Sequence, residues 1–168
     1  MLWRSFGVLI RIRYDARYYR CHEPLVAKVV RTNFTLMPHT SFVGFIAVGV
    51  GAAIGAWTRW GLTLWLNTRH PAFPIGTFVA NAVGGLLVGL AIAYFVKHPF
   101  LSPEWRLLVI PGFLGGLTTF STYSAEVIAL VEQNQIGWAL AVGASHLFVS
   151  LLLTALGLYL GRLLLTAG

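Results

Sequence analysis

The stretch GFLGGLTTFSTYSAE, residues 112–126, decides how this chain is read. Its frame is apolar, as a helix inside a bilayer requires. It also carries the adjacent glycines Gly115 and Gly116, followed by Thr118, Thr119, Ser121, Thr122 and Ser124. Glycine loses much backbone freedom on entering a helix, and a local break leaves carbonyls without their helical partners. The stretch therefore predicts a third membrane helix interrupted near its middle. Open backbone at membrane depth is tolerated where it lines a cavity or binds an ion.

Composition supports the bilayer as solvent. Hydrophobic residues make up 57% of the 168 positions and charged residues 10%, more apolar surface than one soluble core of this length hides. A helix needs about 20 apolar residues to cross, so the length admits four crossings and little else. The hydrophobic runs place them near residues 41–66, 75–96, 107–131 and 136–165. Arg69, Pro71 and Pro74 mark the first turn, Lys97, His98, Pro99, Ser102 and Pro103 the second, and residues 132–135 the third. Glycines recur four apart at Gly51 and Gly55, Gly85 and Gly89, Gly112 and Gly116, and Gly157 and Gly161, a spacing that lets helix backbones approach closely in lipid. Trp57, Trp60, Trp65, Trp105 and Trp138 fall near span ends, where interfacial anchors sit. Cys21 is the only cysteine, so no internal disulfide forms.

The net charge of +7 is unevenly spread. Seven of the twelve basic residues precede Met37, so residues 1–36 form a basic extension and residues 37–168 a nearly neutral membrane domain. That distribution does not make nucleic acid an expected partner. Three readings of the extension stand: a basic arm on the membrane surface, a poorly ordered tail, or an upstream stretch that is not translated, with Met37 as the start. The abrupt change at Met37 favours the last. After Met37, Lys97, Arg106 and Arg162 belong to one side of the membrane, and Arg59 and Arg69 to the other. Three against two is too small a bias to fix orientation, and such a chain can insert both ways.

Thr77 and Asn81, four apart, share one face of the second span. An Asn there is either an interhelical hydrogen bond or a ligand site. Phe120 and Tyr123, three apart, project to one side of the third span. They are either packing or a pair whose electropositive ring edges receive a small anion.

Three segments carry a family resemblance: Gly51, Gly55, Ala56 and Arg59; Gly76, Thr77, Asn81 and Gly84; and the unbroken run 112–126. From Met37 onward the chain resembles the Fluc or CrcB family, small bacterial membrane proteins that export fluoride passively. The resemblance implies an all-α integral membrane protein, with four transmembrane helices and a break in the third. It also implies an antiparallel dual-topology homodimer in the bacterial inner membrane, with lipid around it. A structural Na+ ion at the dimer centre would be held by backbone carbonyls of Gly115 and Thr118 from both subunits. Thr77, Asn81, Phe120, Tyr123 and Ser150 would form the fluoride pore, Asn81 donating its amide and Phe120 its ring edge. Arg59 resembles the family's vestibule arginine. Two departures stand out: Tyr123 replaces a customary phenylalanine, and His146 stands four residues before Ser150, with Thr154 four beyond it. His146 is first an interhelical contact; a pore-lining donor and a protonatable brake on conduction are the other readings.

Other classes predict different residues. A proton-coupled transporter needs a titratable carboxylate at membrane depth, and Glu126 is the candidate, although its place towards the end of the third span suits a cap or a local pair. A scaffolding subunit predicts no flux. An enzyme is disfavoured, because no nucleophile with its base, phosphate loop or metal-ligand cluster is seen in the sequence.

Overall fold

The computed structural model describes residues 42–67 and 73–166, so the expectations about residues 1–36, the start at Met37, Cys21 and Arg69 lie outside the described residues. The described residues form helices and turns with no strand. Four segments are long and apolar enough to cross a membrane: Phe42–Leu66, Ile75–Lys97, Pro103–Glu132 and Ile136–Leu165. The first, second and fourth match the sequence boundaries to within a residue. The third begins four residues earlier than expected, because Pro103 occupies the first helical turn, where a missing N–H does no harm.

Helix α1 is Phe42–Leu66 and α2 is Ile75–Lys97. The third span is composite. It opens as α3, Pro103–Leu107, and widens into π-helical turns over Leu108–Leu114. It then continues as α4, Gly115–Leu117, and resumes as α5, Phe120–Glu132. Thr118 (φ −85°, ψ 153°) and Thr119 (φ −152°, ψ 127°) between α4 and α5 are extended. The π-helical stretch was not read from the sequence, yet its signal is Pro111, which lacks the N–H of a regular turn. Helix α6, Ile136–Thr166, is 31 residues, about 45 Å at 1.5 Å per residue against about 30 Å of hydrocarbon.

Local chemistry closes the turns. Asn67 Oδ1 accepts from Gly76 N–H at 2.6 Å, which satisfies an orphan donor at the start of α2. Arg106 donates to the Phe95 carbonyl at 3.4 Å near the end of α2, where a positive charge complements the helix dipole. Between α5 and α6, Asn134 adopts φ 58° while its N–H bonds the Val131 carbonyl at 2.9 Å. Asn tolerates this left-handed conformation better than most residues.

Small residues set the packing. Helix α2 lies along α6, and α1 lies along the first half of the third span. A Cβ on Gly89 would stand 2.5 Å from Leu158 N, and one on Gly157 would overlap the Leu86 carbonyl. Likewise, a Cβ on Gly51 would meet the Leu108 carbonyl, and one on Gly55 the Phe113 carbonyl. The glycine spacing thus marks helix contacts, whereas Gly49 and Gly61 of α1 have no described atom within 4 Å of the same point. One small apolar core joins Ala80, Leu114 and Leu117; another joins Leu130, Ala139 and Val142. Phe45, Trp57, Trp60, Leu140, Phe148 and Leu164 are exposed on the bundle surface, an arrangement that water does not tolerate and lipid or another chain does.

Candidate functional site

The polar groups of the bundle gather where the third span loses its helical form. Asn81, 6% exposed on α2, faces Thr119. Its Oδ1 accepts from Thr119 N–H at 2.7 Å, and its Nδ2 donates to the Thr119 carbonyl at 2.9 Å. The side-chain amide thus takes the place of a neighbouring peptide and holds Thr119 extended. Nδ2 also lies 3.0 Å from His146 Nδ1 on α6. Three spans therefore meet at Asn81.

Arg59 of α1 bonds the same region from the other side. Its Nε donates to the Gly116 carbonyl at 3.2 Å, and its Nη1 donates to Thr122 Oγ1 at 3.2 Å. The guanidinium joins the pieces before and after the extended pair. Thr119 also caps α5, its Oγ1 accepting from Thr122 N–H at 3.1 Å.

These bonds redirect two backbone donors. In a continuous helix Thr119 N–H would bond the Gly115 carbonyl, and Thr122 N–H the Thr118 carbonyl. Here the first goes to Asn81 and the second to the Thr119 hydroxyl. The carbonyls of Gly115 and Thr118 are relieved of those partners, and Gly115 lies on the exposed surface of the chain. Neutral oxygen donors of this kind suit a hard cation such as sodium.

The remaining candidates line up beside this region. Phe120, 74% exposed, meets Tyr123 edge-on, with centroids 4.9 Å apart and planes at 69°. Tyr123 stacks on His146 at 4.6 Å and 23°. Phe78 stands at 81° to the imidazole, 5.4 Å away. Phe120 and Tyr123 project to one side, as their spacing predicts, and His146 makes the interhelical contact placed first among its readings. Thr77, fully buried one turn before Asn81, donates to Glu126 Oε1 at 2.7 Å. This corrects the local pairing expected for Glu126: its partner is on another span, and its Oε2 is buried with no partner among the described residues. Ser150 is half-buried on α6, and its carbonyl accepts from Thr154 Oγ1 at 2.8 Å. Sequence reasoning missed that Asn81, Thr119 and His146 form one hydrogen-bonded group, since nothing in linear spacing ties α2 to α6.

Irregular backbone held by side-chain hydrogen bonds within an apolar four-span bundle is the construction of membrane carriers and channels. The family described as CrcB-like protein, Camphor Resistance (CrcB), matches residues 46–158, and the chain belongs to it. A relative from Cupriavidus pinatubonensis, named fluoride-specific ion channel FluC, is 58% identical over 122 residues, 73% of this chain and 97% of the relative. Proteins with the same name from Pseudomonas putida (58% over 113 residues, 67% of this chain and 89% of the relative) and Thiobacillus denitrificans (52% over 115 residues, 68% and 93%) are also similar.

Proposed function

We propose that this chain is a fluoride-specific channel that lowers cytoplasmic fluoride by passive export across the bacterial inner membrane, and not an enzyme. The observation that carries the reading is the pair of hydrogen bonds between Asn81 and Thr119, which holds open backbone beside the rings of Phe120 and Tyr123 in an apolar four-span bundle. Fluoride is small and strongly hydrated, so a pore must replace its water with donors and with electropositive ring edges. The name carried by relatives that this chain matches over nearly their whole length supports fluoride as the ion.

The working unit in this reading is an antiparallel dual-topology homodimer, with Thr118 and Thr119 as the break in the third helix. Exposed Phe120 and Gly115 support it, because a second, inverted chain would cover both. The Gly115 and Thr118 carbonyls of the two chains would hold a structural sodium ion, which supplies fixed positive charge that ties the breaks together. Thr77, Asn81, Phe120, Tyr123 and Ser150 would line the route, and Arg59 would hold its entrance.

The test is efflux from liposomes containing the purified full chain, followed with a fluoride electrode and compared with chloride. Fluoride leaves rapidly and chloride does not; equal permeation of both, or no fluoride flux, defeats the reading. The unpartnered Oε2 of Glu126 favours a second reading, a proton-coupled carrier. A proton gradient that drives fluoride against its own gradient supports the carrier; passive equilibration supports the channel.

A further inference from the structure

We infer that the groove between α2 and the first half of the third span binds an acyl chain of an anionic phospholipid, whose phosphate is held at the mouth by the charges of Lys97 and Arg106. The inference does not rest on the channel reading, and its test needs no ion flux.

The groove encloses about 560 Å³, within the size range of ligand sites. Its lining is apolar or aromatic throughout, with Leu87 and Tyr94 of α2 on one side and Trp105, Val109 and Phe113 of the third span on the other. From Tyr94 to Leu87 it follows α2 for about 10 Å at 1.5 Å per residue, inside the depth of one leaflet, about 15 Å. Such a lining offers water few hydrogen-bonding partners, whereas a hydrocarbon chain gains dispersion contacts along its length.

The loop end of the groove has a different chemistry. Tyr94 and Trp105 are exposed there, as aromatic residues at a membrane–water boundary are. Phe95, which also lines the groove, carries Arg106 above it: Nη2 donates to the Phe95 carbonyl at 3.4 Å, and the guanidinium carbon lies 5.7 Å from the ring centroid. Lys97, the exposed last residue of α2, stands two residues beyond Phe95. His98 steadies the other wall, its Nδ1 donating to the Tyr94 carbonyl at 2.9 Å and its ring stacking on Tyr94 at 4.4 Å. Glu104 is the one acid between Lys97 and Arg106, so the turn is net positive.

An apolar slot with cations at its interfacial end matches the two parts of an anionic phospholipid. A zwitterionic lipid answers its phosphate with its own ammonium group and gains less from the turn. Gly115 and Phe120, the surfaces assigned above to a second chain, lie further along the third span and do not line the groove.

The test is native mass spectrometry of the purified full chain in detergent with equal amounts of dioleoyl phosphatidylglycerol and dioleoyl phosphatidylcholine. A basic residue beside an anionic headgroup changes occupancy about fivefold, from about 1 kcal/mol. Wild type therefore retains phosphatidylglycerol at least about fivefold over phosphatidylcholine, and Lys97→Gln lowers that preference about fivefold. Ala91→Phe places a ring in the groove and abolishes retention of one phosphatidylglycerol per chain. Equal retention of the two lipids by wild type overturns the inference, as does an unchanged preference in Lys97→Gln, whether or not Ala91→Phe folds. Ala91→Phe that keeps its lipid but falls from dimers to single chains assigns the groove to a second copy, and overturns it too.

Discussion

Replacing Arg59 separates two roles open to it, attraction of anions and support of the backbone. Nε and Nη1 each make a bond of 3.2 Å, to the Gly116 carbonyl and to Thr122, on either side of the extended Thr118 and Thr119. Arg59→Lys keeps the charge but offers one compact ammonium in place of a planar fork, so it cannot make both bonds in this geometry. Arg59→Gln keeps an amide donor and discards the charge. Interhelical hydrogen bonds in membranes contribute about 0.6 kcal/mol each on average and up to about 1.7. Their lengths put these bonds at the long end of the normal range, so losing both weakens the arrangement by about 1–2 kcal/mol. That is roughly a 5- to 30-fold loss of the conducting arrangement at equilibrium. The assay is liposome fluoride efflux at low and high ionic strength, with thermal melting of the detergent-solubilised protein. Support of the backbone predicts that Lys and Gln both lower flux and melting temperature. Full flux and stability in Arg59→Lys beside a large, salt-sensitive loss in Arg59→Gln would refute the reasoning, since charge alone would then suffice.

Asn81→Asp retains an acceptor for Thr119 N–H but loses both donor bonds, so fluoride flux falls about tenfold or more while the elution volume in size-exclusion chromatography is unchanged. Gly157→Ala forces a Cβ against the Leu86 carbonyl and destabilises by about 1–3 kcal/mol, whereas Gly49→Ala, with no described neighbour within 4 Å, leaves the melting temperature nearly unchanged. Exchanging sodium for N-methylglucamine lowers the melting temperature if carbonyl oxygens bind the ion, by about 2.7 kcal/mol of stability where sodium had been at a hundred times its Kd. An identical melting curve in the two salts argues against the sodium site.

Much of the bundle was legible because its solvent is simple. A bilayer demands long apolar runs, and prolines, a lysine and a histidine interrupt them where α2 gives way to the third span, which is why spans α1, α2 and α6 fell where hydropathy put them. The π-helical turns over Leu108–Leu114 were less legible, since Pro111 announces an irregularity without saying whether the helix kinks, ends or widens. Glu126 was misread as local because its proper partner, Thr77, is 49 residues away in the chain. The Asn81–His146 bond spans 65 residues, and hydrogen bonding across that separation leaves no periodic trace.

The amino-acid sequence by itself determined the membrane as solvent, the number of spans, the glycine faces through which helices approach, and the stretch 112–126 as the place where the third helix falters. Those properties depend on local hydrophobicity and backbone freedom, which neighbouring residues set. Tertiary structure decided what fills the irregular backbone's hydrogen-bonding needs: Asn81 from α2, Arg59 from α1 and, through Asn81, His146 from α6. Hydrogen bonds demand particular atoms at about 3 Å, and only the packing of distant helices can bring those atoms together.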